Sequence, residues 1–377
     1  MPSNRFMSFA QRSYQALPSI WASQADKHLR RRYKDRGPAS LDVMTSFAGP
    51  NLDVAQVLLL SLSEAHPGDD ITFWLLHQNI PARKIVALSD FCTSLGNITL
   101  RSVNVPDTGA FDRLKELGGK PDSARFLWFV AHQHLPRDVK RVIYLDALDI
   151  IVADDLVPLL NHPFLDKYLV ACREALNIPP LLIGPARHAR RLGMPNSVIK
   201  HMSQGLINSG AIILNLDKFR RDGVEIGDYI KVAEWARNRL NLDFGDQGLF
   251  SLTHGSHYTR AHDRYNYRFY YDLPDRSVPH PAVLHYAGKS LPKPMRFAVT
   301  AEVERLATHH LRQTGQTELV LPTKGRIRAE HLSYYRMWWD FCARTPCHAR
   351  IAPRATQRMT NALAQIRTDH DAQRAGP

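Results

Sequence analysis

From Leu41 to Val105 the chain alternates short apolar runs with longer helical ones, and this alternation restricts the possible folds more than any other feature. LDVMTSF (41–47) reads as a strand, GPN as a turn, and AQVLLLSLSEAH (55–66) as an apolar stripe of helical length. ITFWLLHQ (71–78), ARKIVALSDFCTSL (82–95) and NITLRSVNV (97–105) repeat strand, helix, strand. Such alternation predicts an α/β fold, a mostly parallel central sheet with helices on both faces.

Farther along, ARFLWFVAHQHL (124–135) reads as a helix and KRVIYLDALDIIVADDL (140–156) as one buried strand meeting charge at its carboxyl end. Residues 157–204, with Pro179, Pro180, Pro185 and Pro195, read as a long irregular stretch. GLINSGAIILNLDKF (205–219) reads as a strand, followed by a helix through WARNRLNL, and PAVLHYAG (281–288) as a further short strand. The pattern divides the chain into a basic N-terminal arm (1–40), an α/β domain (41–322) and a basic, aromatic, helical C-terminal tail (323–377).

Charge supports that division. The net charge is +13, with +6 in residues 1–40 and +6 in residues 323–377, leaving +1 for everything between. A near-neutral body with two basic ends argues against nucleic acid as the partner. Cys92, Cys172, Cys342 and Cys347 are too few and scattered for a disulfide framework and read as reduced thiols of a cytoplasmic protein. No run of about 18 apolar residues marks a membrane span, and the first 25 residues lack the apolar core of a signal peptide.

Four segments carry residues suited to chemistry. In VIYLDALDIIV, Asp146 and Asp149 follow a strand, and ligands of open α/β sheets bind beyond the carboxyl ends of strands. Two carboxylates there suit a shared Mg2+ or Mn2+; alternatively, one caps a helix and the other is solvated. Asp154 and Asp155 read as helix caps. In GLINSGAIILN, Asn208, Ser209 and Gly210 precede a strand, either as an ordinary turn or as a place of close approach to a ligand. Asp246 and Gln247 suit a sugar hydroxyl or a helix N-terminus. In LHYAGKSLPKP, His285 suits a metal and Lys293 a phosphate, or both serve as ordinary core and loop residues.

In this order, across Leu41 to Arg296, these segments resemble glycosyltransferase family 8, retaining enzymes with the nucleotide-sugar-binding GT-A fold. The resemblance implies that Asp146 and Asp149 stand for the two aspartates of the family's D-x-D motif and that His285 completes a metal site for Mn2+ or Mg2+. Gly288 and Lys293 match the glycine and diphosphate-binding lysine that follow. Arg125 matches a donor-contacting arginine, and Asn208, Ser209 and Gly210 match the N-[SA]-G motif near the donor sugar. Asp246 and Gln247 match the D-Q pair beside the anomeric carbon. Asn266, in DRYNYR, matches a downstream asparagine given only structural weight.

Three departures stand out. Two residues, Ala147 and Leu148, separate the aspartates where the family has one, a spacing that a bulge would absorb. The first strand runs into SFAGPN without an acid, leaving Ser46 and Asn51 as stand-ins for base and ribose recognition. The loop from His285 to Lys293 is long, with Met295 where an aromatic is usual.

The resemblance implies transfer of a hexose, galactose or glucose, from a UDP-sugar to a glycan or glycolipid hydroxyl of a lipopolysaccharide type. The alternative is a non-catalytic sugar-nucleotide- or glycan-binding relative. Residues 173–204 are expected to cover the donor or shape the acceptor cleft, with Arg187, Arg190 and Arg191 either solvated loop charges, the default reading, or facing an anionic acceptor. The tail, with Tyr334, Tyr335, Trp338, Trp339 and Phe341 among its arginines, either lies on the inner face of a membrane or packs on the catalytic body.

Overall fold

The structure, a computed structural model, describes residues 20–106, 108–119, 123–174, 184–204, 207–255, 257–268, 278, 280–288, 291–321 and 325–374. Its strands are β1 (Ser40–Phe47), β2 (Asp70–His77), β3 (Ile98–Asn104), β4 (Arg141–Leu145), β5 (Ile150–Val152), β6 (Leu169–Arg173), β7 (Ile207–Asn215), β8 (Tyr258–Arg260), β9 (Val283–His285), β10 (Glu318–Val320) and β11 (Arg326–Arg328). Seven of them form one sheet in the order β3-β2-β1-β4-β7-β6-β8, and β7 alone runs antiparallel to its neighbours. The sheet is therefore mostly parallel, as the alternation requires. Side chains alternate across it: Leu41, Val43 and Phe47 of β1 enter one core, and Met44 with Tyr144 of β4 enters the other.

The first core is closed by the helices Ala55–Ala65 and Ala82–Leu95, and the second by Ala110–Gly118, Ala124–Val130 and Ile226–Leu240. Ala124–Val130 winds as a tighter 3-10 helix and only Ala131–His134 is α-helical. Phe126 through Val130 are all buried, so packing on every side, rather than one apolar face, sets the local winding.

Two expectations are corrected. The run 140–156 is not one strand. β4 ends at Leu145, the chain crosses over Asp146–Asp149, and β5 pairs antiparallel with β9 in a second, two-stranded sheet. Residues 157–204 are not uniformly irregular: they hold β6 and the helices Val157–Leu160, Gly184–Arg191 and Asn196–Gln204. β6 lies between β7 and β8 with both faces covered, so it shows no alternation to read.

A third core joins the small sheet to the C-terminal helices. Ile151, Leu284 and Tyr286 pack there with Tyr335, Trp338 and Trp339 of Leu332–Cys342 and with Ile351, Ala355 and Met359 of Cys347–Arg374. The helix Ala55–Ala65 is thus sandwiched: Leu58, Leu59 and Leu62 face the main sheet, while Val57 faces the C-terminal layer. Burial on both sides accounts for its nearly continuous apolar sequence, each buried Leu contributing about 1.5–3 kcal/mol.

The N-terminal arm is anchored. Residues 20–32 are helical and bury Ala22 and Leu29. Beyond them, Arg36 grips both oxygens of Asp69 at 2.6 Å and reaches Asp155 at 3.1 Å. His66, Asp69 and Asp155 lie within ligand range of one another. Yet Arg36 engages Asp69, and His66 Nε2 accepts the Leu156 N–H at 3.2 Å. That cluster is a structural tie between arm and sheet.

Candidate active site

The break between β4 and β5 builds the site. Asp146 leaves the carboxyl end of β4 with its N–H still donating to the Gly210 carbonyl at 2.9 Å. Asp149 precedes β5, where Ile150 lies opposite His285 of β9. Ala147 and Leu148 carry the chain from one sheet to the other, which accounts for the longer spacing without any bulge. As a result the ligand atoms of Asp146, Asp149 and His285 lie within 4.8 Å of one another. His285 Nε2 stands 3.7 Å from Asp146 Oδ2 and 3.8 Å from Asp149 Oδ2.

Polar neighbours orient each member. The Tyr144 hydroxyl donates to Asp146 Oδ1 at 3.0 Å and lies 3.1 Å from Ser46 Oγ, so Ser46 supports Tyr144. Lys293 forms an ion pair with Asp149. His285 Nδ1 lies 2.9 Å from Asn266 Oδ1, and Asn266 Nδ2 donates to Asn208 Oδ1 at 2.8 Å. Gly210 leaves room for the imidazole, since a Cβ there would stand 2.0 Å from His285 Cε1.

Burial governs the protonation of these groups. It lowers His285 to about 3, with the nearby Arg268 guanidinium acting in the same direction, so the imidazole is neutral near pH 7. Burial in the cleft raises Asp146, opposed by Lys293, Tyr144 and Arg125. Asp246 is raised by burial and then by the Asp146 charge, while the Ser209 and Trp128 hydrogen bonds resist. Trp128 Nε1 donates to Asp246 Oδ2 at 3.1 Å. Two carboxylates and a neutral imidazole form the donor set a hard divalent cation takes with oxygen and nitrogen ligands, so these residues fit Mn2+ or Mg2+.

A cleft of about 330 Å³ opens over this group, lined by Ser46, Arg125, Asp146, Asp149, Ser209, Asp246, Lys293 and Met295 among others. Asn208, Gly210 and Gln247 are not on its wall. Gln247 Oε1 accepts from the Ser209 N–H at 3.3 Å and from Asn208 Nδ2 at 3.5 Å. The Gly288 carbonyl accepts from the Leu291 N–H at 3.2 Å. Asn51 is elsewhere: its side-chain carbonyl accepts from Arg350 at 3.2 Å, beside the Arg350–Asp53 ion pair.

The covering segment expected at 173–204 lies partly outside the described residues, at 175–183. Its two helices pack on the helices Ile226–Leu240 and Asp246–His254 through Ala186, Ala189, Ile199 and Leu240, and Arg187, Arg190 and Arg191 are exposed. Reading the sequence misses Glu174, whose carboxylate accepts from Asn208 Nδ2 at 2.6 Å and from Arg268 at 2.8 Å. Its signal in the sequence is an acid directly after LVACR, a strand buried at every position and so without alternation to mark it.

Known proteins align with this architecture. The family model described as Glycosyl transferase family 8 matches residues 53–294. A crystal structure of an active-site mutant of LgtC is similar at 22% identity and a TM-score of 0.51, over 68% of this chain and 89% of that one. The apo structure of the bifunctional glycosyltransferase WbbM is similar at 15% identity and a TM-score of 0.53, over 84% of this chain and 51% of that one. At these identities the likeness concerns the fold. No curated protein matches the chain.

Proposed function

The chain belongs to glycosyl transferase family 8 and is a glycosyltransferase, and we propose that it moves a hexose, galactose or glucose, from a UDP-sugar to a glycan or lipopolysaccharide-type hydroxyl with retention of configuration. One observation carries this reading: Asp146, Asp149 and His285 converge within 4.8 Å beside a cleft that also presents Arg125, Asp246 and Lys293.

A divalent cation, Mn2+ or Mg2+, held by Asp146, Asp149 and His285 would supply Lewis acidity toward a diphosphate. The chain's own groups do the rest. Lys293 and Arg125 hold fixed positive charge where a leaving diphosphate gains negative charge. Tyr144 keeps Asp146 Oδ1 engaged, leaving Oδ2 toward His285. Gln247 offers only an amide oxygen, a poor nucleophile, already turned toward the Ser209 N–H. Retention then proceeds by attack on the same face, with Gln247 as electrostatic support. The incoming hydroxyl passes its proton to the departing phosphate, so no side-chain base is needed.

On the same reading the enzyme works in the cytoplasm, peripherally on the inner face of the inner membrane. Among the described residues no helix is long and apolar enough to cross a membrane. Trp338 and Trp339 are buried, so contact with lipid falls to the cations of the tail; Arg354 and Arg358 are exposed one helical turn apart.

The test is release of UDP from a panel of UDP-hexoses with and without Mn2+ or Mg2+. Metal-dependent release with one hexose supports the proposal. Tight binding of a UDP-hexose without turnover under any condition replaces it with the non-catalytic reading.

A further inference from the structure

A chain of hydrogen bonds runs from Glu174 through Asn208 and Asn266 to His285, and its donor–acceptor polarity is forced at every link. The Glu174 carboxylate accepts, so the group facing it at 2.6 Å is the amino group of Asn208. Independently, the Gly210 N–H can only donate, and it points at the other end of Asn208 at 3.1 Å, which is therefore Oδ1. Asn266 approaches that same Oδ1 at 2.8 Å and the Asn208 main-chain carbonyl at 3.3 Å. Both are acceptors, so Asn266 presents its amino group to them. Its carbonyl then faces His285 Nδ1 at 2.9 Å, and Nδ1 must carry the proton.

We propose that Asn266 is a positioning residue that fixes His285 in the Nδ1–H form, so that the lone pair of Nε2 faces Asp146 and Asp149. The other tautomer would set two lone pairs against each other across 2.9 Å and aim an N–H at the carboxylates. All members of the relay from Asn208 onward are buried, Asn208 at 5%, Asn266 at 1% and His285 at 2% exposure, so water does not substitute for a lost partner. The role of Asn208 and Gly210 follows: they hold the histidine, Asn208 by orienting Asn266 and Gly210 by having no Cβ where the ring lies. A partner that fixes the tautomer of a ligating histidine typically changes metal affinity by about 10–100-fold.

The importance of the tautomer rests on the metal-site reading above, but the tautomer itself is measured without metal. The full chain, labelled with 15N-histidine and stripped with EDTA, is examined by long-range 1H–15N correlation, with His285 identified by comparison with His285→Gln. The expected wild-type pattern is a protonated Nδ1 and an unprotonated Nε2. Asn266→Leu, similar in volume, loses that pattern and binds Mn2+ about 10–100-fold more weakly by electron paramagnetic resonance. A wild-type proton on Nε2 overturns the inference, whatever the variants do, and so does an Asn266→Leu protein with both tautomer and Mn2+ affinity unchanged. The stated tautomer in a wild-type protein that fails to bind Mn2+ upholds the assignment and overturns only the metal reading.

Discussion

Gly210 lies against the imidazole of His285 so closely that an added Cβ would stand 2.0 Å from Cε1 and 2.7 Å from Nε2. The reason for glycine there is space for a neighbour, since its backbone is an ordinary strand of β7. Gly210→Ala is therefore expected to push the ring away from the two aspartates. The cost in stability is about 1–3 kcal/mol, as for other overpacked sites. Mn2+ affinity should fall at least about tenfold. Denaturant unfolding and calorimetric titration measure the two effects; a folded variant with unchanged Mn2+ affinity would show that the ring position is irrelevant to the site.

Asp146→Asn keeps the shape of the side chain and removes its charge. UDP release is expected to be abolished even at saturating Mn2+, a fall beyond the about 10²–10³-fold typical of losing one preorganised oxyanion donor. A rate near wild type would remove Asp146 from the machinery.

Trp339 anchors the segment that presents Lys293. Its Nε1 donates to the Pro294 carbonyl at 3.1 Å and the Phe297 carbonyl at 2.8 Å. Nearby, the Tyr335 hydroxyl donates to the Pro292 carbonyl at 2.6 Å. Trp339→Phe keeps an aromatic ring and leaves those two carbonyls without that donor, at about 1–3 kcal/mol. The KM for the UDP-sugar should rise several-fold while Mn2+ affinity holds. Steady-state kinetics with direct Mn2+ binding checks this, and an unchanged KM would detach the C-terminal helices from donor binding.

Asp69 links the arm to the sheet and titrates low. Burial pushes it up, but hydrogen bonds from Arg36, His66 and the Ala39 N–H prevail and hold it at about 2, against an ordinary 3.8. A depressed carboxylate stabilises the fold above its unfolded pKa and loses that contribution as pH falls through the folded value. Wild type should therefore exceed Asp69→Asn by about 1–2 kcal/mol above pH 4, and the gap should close by pH 2. Urea melts across that range decide it; a gap constant with pH would assign the effect to packing.

Lipid contact through cations alone is screened by salt. Flotation with anionic liposomes should succeed at low ionic strength and fail at high, and reversing Arg354 and Arg358 to Glu should cost about 1 kcal/mol per removed cation or more. Salt-insensitive flotation would require an apolar anchor instead.

The sequence made the first half of the sheet readable because β1, β2 and β3 alternate with two helices of ordinary length, and the helix 82–95 matches its predicted bounds. It concealed the β4–β5 break because apolar residues flank Asp146 and Asp149 on both sides, so one strand and two strands in different sheets look alike. The aromatic tail was legible as helical, but its destination was not. Whether Trp338 meets lipid or the core depends on packing with residues such as Tyr286 and Leu284, more than fifty positions away. The roles of Asn266 and Glu174 depend on which donor meets which acceptor, and no spacing encodes that.

The pins on the loop that carries Lys293 come from Tyr335 and Trp339, some forty residues downstream. A nascent chain that has emerged only as far as Lys293 holds every motif of the pocket yet lacks the clamp that sets this lysine. That lysine is therefore held in place only once residues 335 and 339 have been made and have folded back onto its loop.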